Sequence, residues 1–414
     1  MTRPIHFHRY IRLIMLLFVL GLTGCTSAGI LPVATTPPPT TSVNSTAGTT
    51  PTPTVTPTPS EEQVTLIATV WTSDPLVPIL TYHRFKNDNP DDVSDSIKMK
   101  YSDFRTQLQA LYDAGYSLVP LEPWLKGDLS APAGRKPLVI SLDDLYFADQ
   151  LFLNEDGTPS NRSGLGILWE FSQEHPDFGY TAALFYNLGD KLYGNIITPT
   201  WFIQGDGWED ALARVIVWGI EHDLMPYNHF YTHPLLSKLD GPTMLYQYQQ
   251  NEIRMKQLLT MAGRPELFDK LGNMIALTYG AWPGTKYMNE FLVGMPSQTR
   301  KPLLGVFEID YAIRPKYMLA PYAGGFDRYH IPRIVANADA LTLLVDNKDQ
   351  FTVARQCSLG QVGISKSDDP ATISTLILAS AESGDCPVGV YALNGRLFRL
   401  ADGVVTEITI SAPK

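Results

Sequence analysis

The sequence predicts an α/β fold, a barrel or wound sheet of strands alternating with helices, followed by a small β-rich appendage. Three observations predict it. Short apolar runs recur over residues 77–345, several of them apolar throughout, as strands buried on both faces must be. Segments with apolar residues at helical spacing lie between them, and repeated alternation over this length favours a barrel or a wound sheet. From about residue 337 the texture shifts to short runs broken by turn residues, the pattern of an antiparallel module.

Taken from the N-terminus, Arg3, Arg9 and Arg12 precede an apolar run over residues 13–22 and then Thr23-Gly24-Cys25, the layout of an export signal. The run is too short to span a bilayer. Leu22-Thr23-Gly24-Cys25 resembles a bacterial lipobox, in which the segment before the cysteine is removed and the cysteine acylated. Residues 1–25 are therefore expected to be a lipoprotein signal peptide, with Cys25 the lipidated first residue of the mature chain. Residues 26–70 read as a Thr/Pro-rich tether, since Thr35-Thr36-Pro37-Pro38-Pro39 and Thr54-Val55-Thr56-Pro57-Thr58-Pro59 cannot bury a core. The expected address is extracytoplasmic, on the bacterial cell membrane through the N-terminal lipid. Lys and Arg number 32 against 42 Asp and Glu, a formal net charge of -10, which argues against nucleic acid as a partner.

The main domain is expected over residues 71–346. Its strand candidates are residues 77–83, 117–121, 137–144, 181–186, 223–228, 274–279, 304–309 and 341–345, with amphipathic helices at 104–111 and 245–261. Residues 347–414 read as the β-rich module, in which 374–379 and 388–393 are apolar runs and Asn394-Gly395 marks a hairpin. With Cys25 assigned to lipid, Cys357 and Cys386 remain as a pair in an exported protein and are expected to bond.

Four pieces carry candidate chemistry. Residues 136–144 form an apolar strand ending in Asp143-Asp144, adjacent carboxylates that repel unless a cation or a proton relieves them; a helix N-cap pair is the plain alternative. His229 and His233, four apart, can meet on one helical face and share a metal, and one Asp from elsewhere completes a set that suits zinc or a similar divalent ion. His83 ends a strand at Tyr82-His83 and can serve as a proton donor or as a structural histidine. Tyr279 and Trp282, in Leu277-Thr278-Tyr279-Gly280-Ala281-Trp282-Pro283-Gly284, can stack on a sugar ring or pack in the core.

In this order the pieces resemble the polysaccharide deacetylase family, the NodB-homology enzymes of carbohydrate esterase family 4, over residues 76–335. Ser141-Leu142-Asp143-Asp144-Leu145 is similar to the family's Thr-Phe-Asp-Asp-Gly motif. His229-Phe230-Tyr231-Thr232-His233 is similar to its His-(Ser/Thr)-x-x-His motif, and Tyr279 to Gly284 resembles, loosely, its groove-lining third motif. Residues 78–85 and 329–334 resemble the extracellular branch that includes the poly-N-acetylglucosamine deacetylases. The resemblance implies a distorted (β/α) barrel of the NodB-homology type. It makes Asp143 the general base, Asp144, His229 and His233 the ligands of a divalent metal (zinc first, with nickel, cobalt or iron as others), and His83 the acid, with His330 in competition. Substrate contacts are expected from Tyr82, Tyr279, Trp282 and Pro283, and Arg84 or Arg333 is expected to hold Asp143 ionised. The implied activity is removal of N-acetyl groups from an extracellular N-acetylglucosamine-containing polysaccharide by a monomeric, lipid-anchored hydrolase; an O-acetyl esterase would use the same site. Leu145 and Phe230 depart from the family pattern, and Leu145 is expected to narrow the cleft beside the carboxylates or to spoil acetyl binding. A catalytically degenerate glycan-binding lipoprotein is the other reading.

Overall fold

The structure is a computed structural model and describes residues 60–72, 76–129, 131–193, 196–198, 207–296 and 301–410. The chain runs through β1 (Gln63–Trp71), β2 (Ile79–Tyr82), β3 (Arg84–Lys86), β4 (Lys98–Lys100), α1 (Tyr101–Asp113), β5 (Tyr116–Leu118), α2 (Leu121–Leu125) and β6 (Lys136–Leu145). It continues through α3 (Gly164–Glu174), β7 (Ala182–Tyr186), β8 (Lys191–Tyr193), β9 (Ile196–Thr198), α4 (Trp208–Glu221), β10 (Leu224–Asn228), α5 (Gly241–Met261), β11 (Met274–Ala276), β12 (Gly305–Ile309) and β13 (Ile331–Val335). The last elements are α6 (Ala338–Asp346), β14 (Arg355–Gly363), α7 (Pro370–Glu382), β15 (Val390–Leu393), β16 (Arg396–Ala401) and β17 (Val404–Ile408).

Strands β2, β13, β12, β11, β10, β7 and β6 are paired in that order, and β6 returns to β2, so the parallel sheet closes into a barrel. β5 pairs with the first residues of β6. Strand side chains alternate between faces, and β6 shows what each face packs against. Leu138, Ile140 and Leu142 join Leu108 and Leu111 of α1 and Leu168 of α3 in the outer layer. Val139 packs instead with Ile79, Ala183, Phe185, Met274 and Phe307, which fill the barrel floor. Towards the C-terminal strand ends the buried residues become polar, with Thr81, Ser141 and Arg333 each at 0% exposure.

Two apolar runs, one expected as a strand and one placed in the β-rich module, are helical. Residues 341–345 lie in α6, where the Asn337 side chain accepts from Ala340 N at 2.9 Å and Ala340 and Leu344 bury one face. Residues 374–379 lie in α7, capped by Asp369 on Thr372 N at 2.9 Å, opened by Pro370, and buried through Ile373 and Ile377. In both, a short apolar run is ambiguous by period, and the cap decides.

The module is an antiparallel sheet in the order β14-β1-β15-β16-β17, with the hairpin turn at Asn394-Gly395. Its interior strand β1 lies, except for Trp71, inside the range expected as tether, so that segment gives way to ordered sheet at Gln63. Leu66, Ala68 and Val70 pack with Ile373 and Ile377, while Trp71, Val390 and Leu397 join Trp124 and Leu129. Cys357 of β14 and Cys386 are bonded, with Cα atoms 5.7 Å apart. The export signal, Cys25 and residues 26–59 lie outside the described residues. No helix among the described residues is long and apolar enough to cross a membrane.

Candidate active site

The two carboxylates reach one cleft because β6 breaks its own alternation. Asp143 continues the inward face of Ser141, and a regular strand would turn Asp144 outward. The register with β7 instead shifts between Leu142 and Leu145, and Asp144 takes a left-handed conformation at φ 63°. Aspartate tolerates that conformation better than bulkier residues do. Asp143 and Asp144 therefore line the same pocket, about 600 Å³ in volume, at the C-terminal ends of the barrel strands, with His83, His229, His233 and Tyr279. This is the end where parallel barrels carry their chemistry.

Asp143 is held by Arg333 of β13, itself fully buried. The guanidinium donates from Nη1 to Oδ1 at 2.6 Å and from Nη2 to Oδ2 at 2.8 Å, and Nη1 also donates to Thr81 Oγ1 and Ser141 Oγ. Burial alone would raise the Asp143 carboxyl; the Arg333 charge and hydrogen bonds outweigh it and hold it below the usual carboxylate range. Of the two arginines expected to do this, Arg333 does; Arg84 pairs with Asp149, Nε to Oδ1 at 2.9 Å, and lies on the Phe147 ring.

His229 and His233 do not share a helical face. His229 follows β10 directly, its N–H donating to Tyr186 O, and the residues up to His233 form a turn in which Phe230 and His233 have φ 59° and 53°. Gln247 of α5 holds this turn through its backbone and side-chain oxygens. His229 Nδ1 donates to Ala276 O at 2.8 Å, which fixes the tautomer and leaves the Nε2 lone pair facing the cleft. His229 Nε2 and His233 Nε2 lie 3.8 and 3.4 Å from Asp144 Oδ1. Burial pushes both imidazoles down, His233 to about 4, so both are neutral at neutral pH and these contacts are not ion pairs. Burial alone would raise the Asp144 carboxyl; as pH falls the neighbouring imidazoles take up protons before it does, and their charge holds it below the usual carboxylate range.

Two imidazole nitrogens and a carboxylate oxygen thus lie within 4.8 Å of one another in a buried site. Tetrahedral ligands 2.0–2.1 Å from zinc stand about 3.3 Å apart, so this donor set fits a divalent cation in chemistry and spacing. Behind Asp144, Asn187 Nδ2 donates to Oδ1 at 3.1 Å, and Lys191 is fully buried with its Nζ 4.3 Å from the Phe147 ring centroid and without a hydrogen-bond partner among the described residues. Burial pushes the Lys191 ammonium down to about 7 against the pull of Asp144.

His83 follows β2 directly on the cleft wall, with Nδ1 buried and unpartnered among the described residues. Gln150, fully buried, donates from Nε2 to the carbonyls of both His83 (2.6 Å) and Asp143 (2.8 Å), so one side chain fixes the ends of β2 and β6 relative to each other. Sequence reasoning gave Gln150 and Asn187 no role, because the contacts that matter, Gln150 to His83 and Asn187 to Asp144, join residues far apart in the chain.

No protein-family model matches this sequence, and no curated protein matches it. Solved structures do. A Bacillus anthracis protein described as a polysaccharide deacetylase aligns over 65% of this chain and 68% of its own, at 14% identity and a TM-score of 0.38. A Streptococcus pyogenes deacetylase in complex with acetate aligns over 63% and 92%, at 14% identity and 0.39. IcaB from Ammonifex degensii aligns over 66% and 97%, at 16% identity and 0.38. The likeness is one of fold.

Several expected residues sit elsewhere. Leu145 is fully buried in the outer layer of the barrel and does not line the cleft, so it does not narrow it. Phe230 is fully buried beside Tyr248 and Phe291. Tyr82 points into the layer beneath α1, its hydroxyl donating to Gln107 and its ring 5.0 Å from Phe104, and is not a cleft residue. Trp282 and Pro283 lie outside the cleft lining, Trp282 donating to Glu308 Oε2 at 2.9 Å and packing on His330. His330 sits there too, 3.3 Å from Glu308, away from both carboxylates. Tyr279 does line the cleft, its ring 4.4 Å from His233.

Proposed function

We propose that the protein is a metal-dependent hydrolase that removes N-acetyl groups from an extracellular N-acetylglucosamine-containing polysaccharide, and that it is secreted and held to the bacterial membrane by lipid on Cys25. The observation that carries the reading is the placing of Asp143 and His83, one proton acceptor and one proton donor, in the same cleft as Asp144, His229 and His233. The last three would hold the cation, zinc by the nature of its donors, which when bound supplies Lewis-acid charge to the acetamide carbonyl. Asp143, kept ionised by Arg333, takes a proton from the water that adds to the carbonyl carbon. His83 gives a proton to the amine nitrogen as the C–N bond breaks, and acetate and an amino sugar leave. Gln150 keeps the two proton-handling residues in register.

Acetate release from N-acetylglucosamine oligomers, with and without added zinc, tests this. Release that depends on metal and disappears with Asp143→Asn supports it, and no release from any N-acetylated oligomer by the zinc-loaded protein would sink it. Radiolabelled fatty acid incorporated by the wild type but not by Cys25→Ala tests the anchor.

A further inference from the structure

Tyr311 stands 76% exposed on the turn after β12, yet it lines the same cleft as the carboxylates. An aromatic ring left in water at the mouth of a buried polar site needs a reason, and the way its turn is built supplies one. Asp310, 5% exposed, accepts hydrogen bonds from the N–H groups of Ala312 (3.1 Å) and Arg314 (2.9 Å) and from Arg314 Nε, and its own N–H donates to Arg333 O at 2.8 Å. The turn is therefore fixed from within by Asp310 and fastened to the strand whose side chain grips Asp143. The Tyr311 side chain contributes nothing to that fastening; it is simply presented. Its hydroxyl lies beside Gly280, 3.8 Å from where a Cβ would stand, so it adjoins the turn of Tyr279, itself 45% exposed. Tyr279, its ring 4.4 Å from His233, and Tyr311 are thus two aromatic side chains on adjoining turns of one cleft.

We propose that Tyr311 is a ring-stacking position for a pyranose neighbouring the one whose acetamide enters the cleft, so that the protein recognises an N-acetylglucosamine chain and not a single sugar. The inference rests on the deacetylase reading for the identity of the sugar. Flat aromatic surface at fixed height beside a polar site suits the C–H face of a sugar ring, and an aromatic side chain brings large contact area at small cost in rotamer freedom. Tyr279 holds the reacting unit near His233, and Tyr311 holds the next.

The test is equilibrium binding by calorimetry of zinc-loaded protein carrying Asp143→Asn, which prevents turnover, with the N-acetylglucosamine monomer and pentamer as probes. Adding Tyr311→Ala is expected to weaken pentamer binding roughly 3- to 10-fold and leave monomer binding unchanged. Tyr311→Phe is expected to keep the pentamer affinity, since the ring and not the hydroxyl makes the contact. Tyr317→Ala, another exposed tyrosine but outside the cleft, serves as the control and is expected to change neither. Equal weakening of monomer and pentamer, or no weakening of the pentamer, would overturn the subsite while leaving acetate release by the wild type untouched. Absence of pentamer binding before Tyr311 is altered would overturn both the subsite and its sugar. Because turnover plays no part, a protein that binds the pentamer through Tyr311 but releases no acetate would keep this inference and remove the deacetylase reading.

Discussion

At its floor the barrel is filled by Val139, Ala183, Phe185, Met274 and Phe307; a few residues further along the strands it buries Thr81, Ser141, Asp143, His229 and Arg333. The floor obeys the simple rule that apolar surface leaves water. The mouth breaks it, and there Arg333 is matched by Asp143, His229 by Ala276 and Asp144 by Asn187, each pair joining separate parts of the chain, while His83 Nδ1 and Lys191 Nζ have no hydrogen-bond partner among the described residues. The difference teaches how one set of strands divides its labour. Contacts that any apolar side chain of the right volume can make hold the barrel closed, and contacts that tolerate no substitute set the geometry of the cleft.

That division can be broken at either end. The largest effect belongs to the mouth: Asp143→Asn is expected to lower kcat/KM for acetate release roughly 10²- to 10⁴-fold with the bound metal still at wild-type content by elemental analysis. Next is Arg333→Met, which leaves Asp143 buried without its partner and is expected to cost about 3–5 kcal/mol in denaturant unfolding at pH 7. Its pH behaviour has a definite sign. The folded pKa of Asp143 lies below its ordinary value, so the stabilisation from the pair is present above the unfolded carboxylate range and is lost as pH falls through the lowered value. Without Arg333 that contribution goes, Asp143 protonates at higher pH, and the acid limb of kcat/KM moves upward.

At the floor, Met274→Ala is expected to cost about 2–5 kcal/mol while kcat/KM, measured well below the unfolding transition, stays within about twofold of wild type. A larger loss of activity would mean that floor and mouth are coupled. The smallest effect is that of Tyr82→Phe, which removes one hydrogen bond to Gln107 and is expected to cost about 0.5–1.5 kcal/mol with KM unchanged; a raised KM would return Tyr82 to the substrate.

Much of the floor was legible in the sequence and the mouth only in part. The apolar run of β6 and its Asp-Asp ending are visible because a strand buried on both faces has no alternative composition. The pairing of those carboxylates with His229 and His233 could be read from residue types. The left-handed turn at Asp144 and the turn that replaces a helix at 229–233 could not, since four-residue spacing is shared by helices and tight turns. The caps Asn337 and Asp369 were in view and outweigh the apolar runs that follow them. The alternation of Val64, Leu66, Ala68 and Val70 was likewise present, hidden by the Thr/Pro-rich stretch before it. Arg333 was one of two candidates because charge is readable and reach is not. Tyr311 carried no signal at all, as exposure is a property of the folded chain.

The position of β1 has a mechanical side. It is the first strand of the described chain, and it lies between β14 and β15, bonded to both. Any tension arriving through residue 60 therefore loads a strand paired with β14 from Gln63 to Val70, with β15 joining only at Thr69 to Trp71, and β14 is itself pinned by the Cys357–Cys386 bond. The small sheet meets such a load as a cleat meets a rope, ahead of the strand that carries Asp143 and Asp144.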